Sequence, residues 1–305
     1  MKIIYEGKDI FPDTSVNACY HDMYAGGRSD ELYLRFNDTK RLWDIWSPKQ
    51  NDNISVEYGK AKTGLMHIES VIPENGFVTL HAFSTPQTVK DKSNKSWDSV
   101  MLFQLIQEVA GRHGLGVETY GFSDQQYEYV AQNNTPDFVF LQQRCLLEGA
   151  AFLVYDNKLV VYGEAYMENQ PAAGTIEIST VQDFTYQDNV IYAYGNCEVA
   201  NSKFTGEFSA SNNSDKKLRR VLQLNISNQA EANRFAKGLL RSANKDMTAG
   251  TIWLPLKSEY AAGSVANLET HGEKSWDGQC FITRIRHDYS REKTKLFFRK
   301  PLEGY

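Results

Sequence analysis

The sequence has few prolines and no long apolar run. Only 8 prolines occur in 305 residues. No apolar run approaches the roughly 20 residues that a helix needs to cross a bilayer, so membrane insertion by this chain is not expected. Glu6, Lys8 and Asp9 stand where a secretory signal peptide has its apolar core, so secretion by that route is not expected either.

Cysteine is also scarce, and no two cysteines lie close together in the sequence. The four are Cys19, Cys145, Cys197 and Cys280. The lack of a CxxC pair argues against a zinc knuckle or a thioredoxin-type redox site. The sequence therefore predicts four buried, inert thiols in a reducing compartment.

The chain has no surplus of basic residues. Its 33 Lys and Arg against 38 Asp and Glu give a formal net charge of −5. A general nucleic-acid-binding protein carries a basic surface, so this charge disfavours that class. Residues 91–174 hold 5 basic and 11 acidic side chains, a net charge of −6, so this segment supplies more than the whole acidic surplus.

Recognisable catalytic motifs are missing. None of the six histidines forms HExxH, and neither GxSxG nor GxxxxGK[ST] occurs. His21-Asp22 and His287-Asp288 are adjacent pairs, but neighbours in a strand point to opposite faces, which favours structural roles. We predict no catalytic residue, no metal and no cofactor, so the chain is not expected to be an enzyme. A glycosidase remains the alternative, because the 38 acids could place two carboxylates at about 5–9 Å.

Two other patterns have both a binding and a structural interpretation. The stretch 25–28 (AGGR) leads into a strand and lacks the helix N-terminus of a phosphate-binding loop, so it is predicted to be a turn. Tryptophans could stack on sugars, as in a glycan-binding module, or lie in the core or at an interface, and we favour the second. They are Trp43, Trp46, Trp97, Trp253 and Trp276.

Aromatic residues are abundant and favour β-structure. They make up 12% of the chain, with 17 Tyr and 16 Phe. Apolar and polar residues alternate around 32–36, 54–58 and 78–82, which is the pattern of half-buried strands. We predict that residues 1–90 form a first β-barrel, with the polar stretch 90–96 as its boundary.

Residues 91–174 are predicted to be a small α/β insert. Two stretches have apolar residues at helical spacing, each preceded by an N-cap residue and followed by a glycine. A hairpin with period-two alternation comes next. The predicted elements are helices over 97–113 and 135–148, with Ser96 and Thr135 as N-caps, and strands over 151–155 and 159–163.

Residues 175–305 are predicted to be a second β-barrel that includes one amphipathic helix. Asn228 and Glu231 have the spacing of a capping box at the start of that helix. A basic run at 216–220 is interpreted as a solvated loop and strand start. The alternative is that it docks an acidic neighbouring subunit.

The first and last segments resemble each other. Gly64, Ile68 and Val71 align with Gly278, Ile282 and Ile285, and the strand 78–83 aligns with 294–299. Upstream, Trp46-x-Pro48 echoes Trp253-x-Pro255. We predict two copies of one β-fold. The alternative is two hairpins that share turn chemistry by chance.

Four motifs, taken in order, resemble the phage late control protein D and baseplate hub family of contractile tails. Relatives of this family occur in phage-tail-like bacteriocins (tailocins) and in the spike complexes of type VI secretion. The motifs are DELYLRF at 30–36 with Trp46-x-Pro48, RHGL at 112–115, Asp137-x-x-Phe140-Leu141-Gln142-Gln143-x-Cys145, and Gly278-x-x-x-Ile282-x-x-Ile285-x-His287-Asp288-Tyr289-Ser290.

This resemblance implies a structural protein of a virion or tail-like particle, assembled in the host bacterial cytoplasm. Such hubs are homotrimers whose two tube-protein-like barrels per protomer form a ring of six, which joins a sixfold tail tube to a threefold spike. The implied partners are two more copies of the chain, the tube protein, the spike protein and the tape-measure protein, with DNA only in transit. The expected fold is α+β, two similar β-barrels flanking the insert.

The alternative function is a β-rich cell-wall hydrolase or glycan-binding module. No lysozyme-like segment is recognisable after Lys300, so a wall-cutting role of this chain is not expected.

Overall fold

The computed structural model describes residues 1–179, 183–212, 214–271 and 276–305. Within these residues most regular structure is β-strand, accompanied by five α-helices, which confirms the predicted α+β class. Strands from the beginning and the end of the chain form one large sheet, while the middle of the chain forms smaller sheets and carries the longer helices.

Residues 1–90 form the short strands that the alternation predicts. Leu32, Leu34 and Phe36 are at most 1% exposed, whereas the residues between them are partly exposed. A 3₁₀ turn, Gln87–Lys90, ends this part. The elements are β1 (Lys2–Tyr5), β2 (Lys8–Asp9), β3 (Ser15–Tyr24), β4 (Glu31–Asn37), α1 (Leu42–Trp46), β5 (Asn53–Tyr58), β6 (Ala61–Lys62), β7 (Met66–Glu74) and β8 (Phe77–Phe83).

The next segment corrects the predicted start of the first helix. Most of the polar stretch 90–96 and the first turn of the predicted helix belong to strand β9 (Lys92–Met101), which pairs with β11 (Gln126–Pro136). Only Trp97 and Val100 of β9 are buried, so a mostly polar sequence suits this strand. The ladder to β11 satisfies the backbone of β9, and the local sequence gives no sign of that distant partner.

Both predicted helices and the hairpin are present in the middle of the chain. Gly114 and Gly149 follow the two helices, as predicted. The hairpin turn Asp156–Asn157 has positive φ at both residues, as a type I′ turn requires. The elements after β9 are α2 (Leu102–Arg112), β10 (Gly116–Tyr120), β11, α3 (Asp137–Leu147), β12 (Ala150–Tyr155), β13 (Lys158–Gly163) and α4 (Glu164–Glu168).

The last part of the chain begins with strands and contains the predicted amphipathic helix. The side chain of Asn228 accepts a hydrogen bond from the Glu231 N–H at 2.9 Å, and the Glu231 carboxylate accepts one from the Ser227 N–H at 2.7 Å. The elements are β14 (Thr175–Ile178), β15 (Phe184–Asp188), β16 (Asn196–Ala200), β17 (Thr205–Ser209), β18 (Lys217–Val221), α5 (Gln229–Asn244), β19 (Thr248–Pro255), β20 (Val265–Thr270), β21 (Gly278–Asp288) and β22 (Lys293–Arg299).

Apart from the two-residue strands β2 and β6, the 14-stranded large sheet consists of two halves of six strands each, with the same strand order. The first half runs β3-β4-β8-β7-β5-β1 and the second runs β15-β19-β22-β21-β20-β14. If the strands of each half are numbered along the chain, both orders are 2-3-6-5-4-1. One difference is that β1 lies antiparallel to β5, whereas β14 lies parallel to β20. The halves are joined because β3 pairs with β21.

The pairing register supports most of the predicted internal repeat. β7 and β21 each have an irregularity directly after the aligned residues Ile68 and Ile282, and these residues lie opposite Ala82 and Phe298. The aligned strands 78–83 and 294–299 therefore occupy equivalent positions. Gly64 lies two residues before β7 and Gly278 is the first residue of β21, and both have positive φ, +68° and +109°. The repeat in β7, β8, β21 and β22 is thus visible in the sequence.

The predicted equivalence of the two Trp-x-Pro motifs is wrong. Trp46 lies in α1, after β4 has ended. Trp253 lies within β19 opposite Lys295, which is the position that Arg35 holds in β4 opposite Thr79. The shared motif therefore comes from different elements of the two halves.

Three large buried cores organise the described part of the chain, beside a small cluster around Tyr162 and Phe281. One lies in the first half, another in the second half, and the largest in the middle of the chain. The largest core contains Leu105, Leu141 and Phe152, but also Phe235 and Leu240 of α5. This packing corrects the expectation that α5 belongs with the second barrel and that the insert is independent. Helix α5 packs against α3 and covers β16 and β17.

The two predicted barrels are not seen as closed rings. In the described part of the chain no ladder joins β3 to β1 within the first half or β15 to β14 within the second. Strand β3 pairs with β21 of the other half instead. The sheet is therefore continuous from one half to the other.

We predict that Leu105→Ala lowers the free energy of unfolding by about 2–5 kcal/mol, because truncation leaves a cavity in the core. Leu105 is fully buried, whereas Val139 on α3 is 44% exposed. Val139→Ala is the matched control and should cost less than about 0.5 kcal/mol. Urea unfolding of both variants measures the difference. A loss below about 1 kcal/mol for Leu105→Ala would contradict the assigned core.

Candidate assembly sites

The junction of the two halves carries an ion cluster, centred on a buried aspartate, on one face of the sheet. Asp22 on β3 is fully buried and accepts hydrogen bonds from Arg284 at 2.9 Å and from Arg286 at 2.6 Å, both on β21. Charge-assisted bonds of this kind are short and strong. Asp22 therefore reinforces the only ladder that joins the two halves within the described residues.

Two histidines meet on the opposite face of the same ladder. His21 and His287 are cross-strand partners. His287 Nδ1 lies 3.0 Å from the Thr294 hydroxyl, while neither ring nitrogen of His21 has a hydrogen-bond partner among the described residues. Within each adjacent pair, His21-Asp22 and His287-Asp288, the imidazole and the carboxylate point to opposite faces of the sheet. Neither pair therefore forms a proton relay.

A cavity of about 310 Å³ adjoins these histidines. It is lined by both halves of the sheet and by the β12–β13 hairpin, through His21, His287, Asp30, Tyr155 and Tyr260. Burial lowers the pKa of His21 to about 3 and that of His287 to about 4. Burial also raises the pKa of Asp30 to about 7. Both imidazoles are therefore neutral at physiological pH.

A second buried ion cluster ties the middle of the chain to the second half. Glu168 of α4 is 2% exposed and accepts hydrogen bonds from Arg241 of α5 and Arg299 of β22. Its other oxygen accepts from the Leu302 N–H at 3.0 Å. Removing one partner of such a cluster leaves a buried charge uncompensated, which is strongly destabilising.

Glu164 extends this cluster. It accepts hydrogen bonds from Arg241 Nε at 3.2 Å and from Lys245 Nζ at 3.0 Å. Burial alone would raise the pKa of Glu164, but the charges of Lys245 and Arg241 outweigh burial and hold that pKa below its ordinary value. The Glu164 carboxyl is therefore ionised at neutral pH.

The RHGL motif and Asp137, predicted separately from the sequence, come together in space. The Asp137 carboxylate accepts hydrogen bonds from Ser93 and Gln132 at 2.8 Å and from Arg112 at 3.1 Å, and it lies 3.0 Å from His113 Nε2. Burial opposes ionisation of Asp137, but the bonds from Gln132 and Ser93 and the charge of Arg112 hold its pKa low. This carboxylate connects β9, α2, β11 and α3.

Thr88 adds a hydroxyl to the His113–Asp137 pair, and the three groups follow one another in the order hydroxyl, imidazole, carboxylate, as in a catalytic triad. The Thr88 hydroxyl lies 2.9 Å from His113 Nδ1, on the ring edge opposite Asp137. These three residues line an open cleft of about 450 Å³. The sequence did not single out Thr88, because it lies in a 3₁₀ turn with no recognisable motif.

The basic run is largely neutralised or exposed. Lys217 lies 2.6 Å from Glu198 and 3.1 Å from Glu207, and Lys216 donates to the Ile191 carbonyl at 2.7 Å. Arg219 is 74% exposed. The run therefore forms part of a solvated strand start, and the alternative that it docks a neighbouring subunit remains a prediction.

The remaining candidates have structural placements. Trp43, Trp97 and Trp276 are buried, Trp46 and Trp253 are partly exposed, and the stretch 25–28 forms the turn between β3 and β4. All four cysteines are free and buried, as predicted. Burial raises the pKa of the Cys145 and Cys280 thiols to about 12.

The described residues contain neither a metal-binding cluster of His, Cys, Asp or Glu nor a helix suited to cross a membrane. No cluster of three or more His, Cys, Asp or Glu side chains is placed to hold a metal ion. No helix in the described ranges has both the length and the apolar character that spanning a membrane requires.

Comparison with known proteins shows similarity in structure alone. No protein-family model and no curated protein matches the sequence. The fold is similar to that of a tail protein from Neisseria meningitidis MC58, with a TM-score of 0.78, 12% identity, and coverage of 98% of this chain and 95% of that one.

Two other structural neighbours are a prophage tail protein and a type VI secretion component. The 43 kDa tail protein of prophage MuSo2 from Shewanella oneidensis gives a TM-score of 0.74, 10% identity, and coverage of 98% and 97%. A component of the type VI secretion system of E. coli gives 0.61, 10%, and coverage of 100% and 78%. These three structural neighbours are phage tail proteins and a type VI secretion component, which confirms the resemblance at the level of the fold.

We predict that His21 makes stability depend on pH. The unfolded chain protonates this histidine near its ordinary pKa of 6.5, but the folded chain does so only near pH 3. The unfolded state therefore binds more protons as the pH falls, and the free energy of unfolding falls with it. Below pH 6.5 the wild type should lose about 1.4 kcal/mol per pH unit relative to His21→Leu.

Urea unfolding at a series of pH values between neutral and mildly acidic measures this difference. His271 is exposed, so His271→Leu is the control and should keep the wild-type profile. Parallel pH profiles for the wild type and His21→Leu would show that the junction is not as buried as described.

Proposed function

We propose that this chain is a structural baseplate hub protein of a contractile phage tail or tail-like particle. In this proposal three copies form a ring that joins the sixfold tail tube to the threefold spike. The shared fold with phage tail proteins supports a structural role in a tail. The observation that carries the proposal is the repeated 2-3-6-5-4-1 strand order. Three copies of a chain with two such halves present six similar units to a sixfold partner.

The ladder between β3 and β21, which joins the two halves within one chain, suggests which strands pair between two copies. Strand β3 of the first half pairs with the end of β21, beyond its irregularity. In the repeat, β15 is equivalent to β3 and β7 is equivalent to β21. Strand β15 has a second edge with no partner among the described residues, and so has β7 beyond Ile68. We propose that β7 of one copy pairs with β15 of the next.

The free edges have the character of an interface. Ile72 on β7 is 44% exposed and Tyr186 on β15 is 38% exposed. Directly after β15, Val190, Ile191 and Tyr192 are 51%, 75% and 60% exposed. Contiguous exposed apolar groups of this kind mark interaction sites. Pro73 lacks an N–H, so the proposed ladder is interrupted at that residue.

The proposed contact is heterologous, because two different strands meet. Repetition of a heterologous contact forms a ring when the rotation closes. In such a ring the proposed β7–β15 ladder between copies repeats the β3–β21 ladder within each copy. The first and second halves of the sheet then alternate around the axis. The tube protein, the spike protein and the tape-measure protein are the proposed partners.

DNA crosses the proposed ring only in transit. A pore lined with free cations would hold the DNA backbone, so the basic run must face away from the pore. The pairing of Lys217 with two glutamates supports this, because it removes one cation from the surface potential.

A disulfide trapping experiment tests the proposed contact. The register within the chain places Arg286 opposite Asp22, and the repeat converts this pair into Ile72 and Gln187. We predict that the double variant Ile72→Cys, Gln187→Cys forms covalent dimers and trimers under mild oxidation, because the two side chains face each other between copies. Denaturing electrophoresis without reductant measures the products.

The matched control is Ile45→Cys with Gln187→Cys, since Ile45 is 74% exposed and lies on α1, outside the proposed ladder. The four native cysteines are buried and should stay reduced. Monomers alone from the Ile72 pair, or equal products from both pairs, would refute the contact.

A cell-wall hydrolase is the second candidate, and the Thr88–His113–Asp137 arrangement favours it. The structural role is preferred because Arg112 already neutralises Asp137, whereas a triad carboxylate is needed to stabilise the imidazolium. Asp137 also connects β9, α2, β11 and α3, and this structural role is a sufficient reason for the geometry.

We predict that the purified chain does not clear a suspension of peptidoglycan, and that Thr88→Ala behaves like the wild type in this assay. Turbidity over time is the measurement, with a known lysozyme as the positive control. Clearing by the wild type that is lost in Thr88→Ala would establish the hydrolase and overturn the structural assignment of this cleft.

A further inference from the structure

A groove lies along β11, away from the junction and from the Thr88 cleft. Its volume is about 520 Å³. One wall is β11, through Tyr129, Ala131 and Asn133, and the other is the segment 222–225 after β18. Strand β11 pairs with β9 on one side, and its other edge has no strand partner among the described residues. An extended chain can therefore lie beside β11.

Arg144 of α3 lines this groove as a buried cation. The residue is 6% exposed, and its Nη1 has no hydrogen-bond partner in the described part of the chain. The rings of Tyr127 and Phe140 lie 5.7 and 5.6 Å from the guanidinium carbon. These rings orient the guanidinium but do not neutralise it. Buried charges are normally paired, so this arginine calls for an anion.

The nearby carboxylates are engaged elsewhere. Glu148 accepts hydrogen bonds from the Tyr127 hydroxyl at 2.9 Å and from Arg234 Nε at 3.0 Å. Glu231 accepts from the Ser227 N–H at 2.7 Å. Burial lowers the pKa of Arg144, and these more distant charges offset that effect only in part.

The lining identifies the chemical class of the ligand. Among the described residues that line the groove, Arg144 is the only charged one. A nucleic-acid backbone needs several cations, whereas one guanidinium matches one planar carboxylate through its paired donors. The other polar side chains are mainly amides, which both donate and accept hydrogen bonds as a peptide backbone requires. They are Asn133, Asn201, Gln223 and Asn225.

We propose that this groove binds an extended segment of a partner protein through one acidic side chain that pairs with Arg144. The segment adds to the free edge of β11, a known mode of peptide recognition. The inference does not depend on the ring, because it concerns a surface of the middle of the chain and not the strands that join copies.

Two blocked peptides of alternating valine and threonine test this proposal. One has a glutamate at its centre and the other a glutamine, and fluorescence polarisation measures their binding. We expect the glutamate peptide to bind the wild type at least about tenfold more tightly than the glutamine peptide, because a charge-assisted pair is lost. Arg144→Gln should abolish this preference. Arg291→Gln, in the exposed β21–β22 turn, removes the same charge and should retain it.

A second variant keeps the test valid if Arg144→Gln fails to fold. Gln223→Glu is isosteric and places a carboxylate in the groove, so it should remove the preference for the glutamate peptide. Equal binding of the two peptides to the wild type, or no binding of either up to about 1 mM, would overturn the proposal. Self-association of the wild type that Arg144→Gln abolishes would overturn it too, by making a second copy the occupant.

Discussion

Strand β21 pairs with three strands, and the arrangement of the whole chain depends on this sharing. It pairs with β22 along one edge, and it divides the other edge between β20 and β3. The change of partner coincides with the irregularity next to Thr283, where one extra residue bends the strand. Without that bend, this edge of β21 could pair with β20 of the second half or with β3 of the first half, but not with both.

The chemistry at the junction follows from this sharing. The ladder between β3 and β21 places Asp22 against two arginines on one face and His21 against His287 on the other. Removing one member of either group lowers the stability of the fold, since a buried charge or a buried polar ring has lost its solvation. The Glu168 cluster does the same for the contact between α4, α5 and β22. Together these clusters fix the two halves and the middle of the chain relative to one another.

Local patterns in the sequence predicted the elements that depend on local constraints. The alternation around Leu34 and the helical spacing around Leu105 identified β4 and α2, since burial on one face leaves a periodic record. The β9 strand was missed because only Trp97 and Val100 of its residues are buried. The ladder between β3 and β21 left no local pattern at all, because its partners lie more than 250 residues apart.

The same distinction holds for the candidate sites. Asp137 and His113 were recognised as parts of separate motifs, but their contact depends on how α2 and α3 pack. Arg144 left one sequence signal, because it lies three residues after Leu141 and four after Phe140 on an apolar helix face. The Trp46 and Trp253 motifs show the opposite case, a sequence repeat that corresponds to different elements.

The central claim is that three copies of a chain with two equivalent half-sheets form a ring of six similar units. Two-dimensional class averages of the purified chain, combined with its mass in solution, test this claim most directly. We expect a particle of three 34.7 kDa chains with a central opening and six similar lobes. A compact monomer that persists at high concentration, or a particle without a central opening, would contradict it.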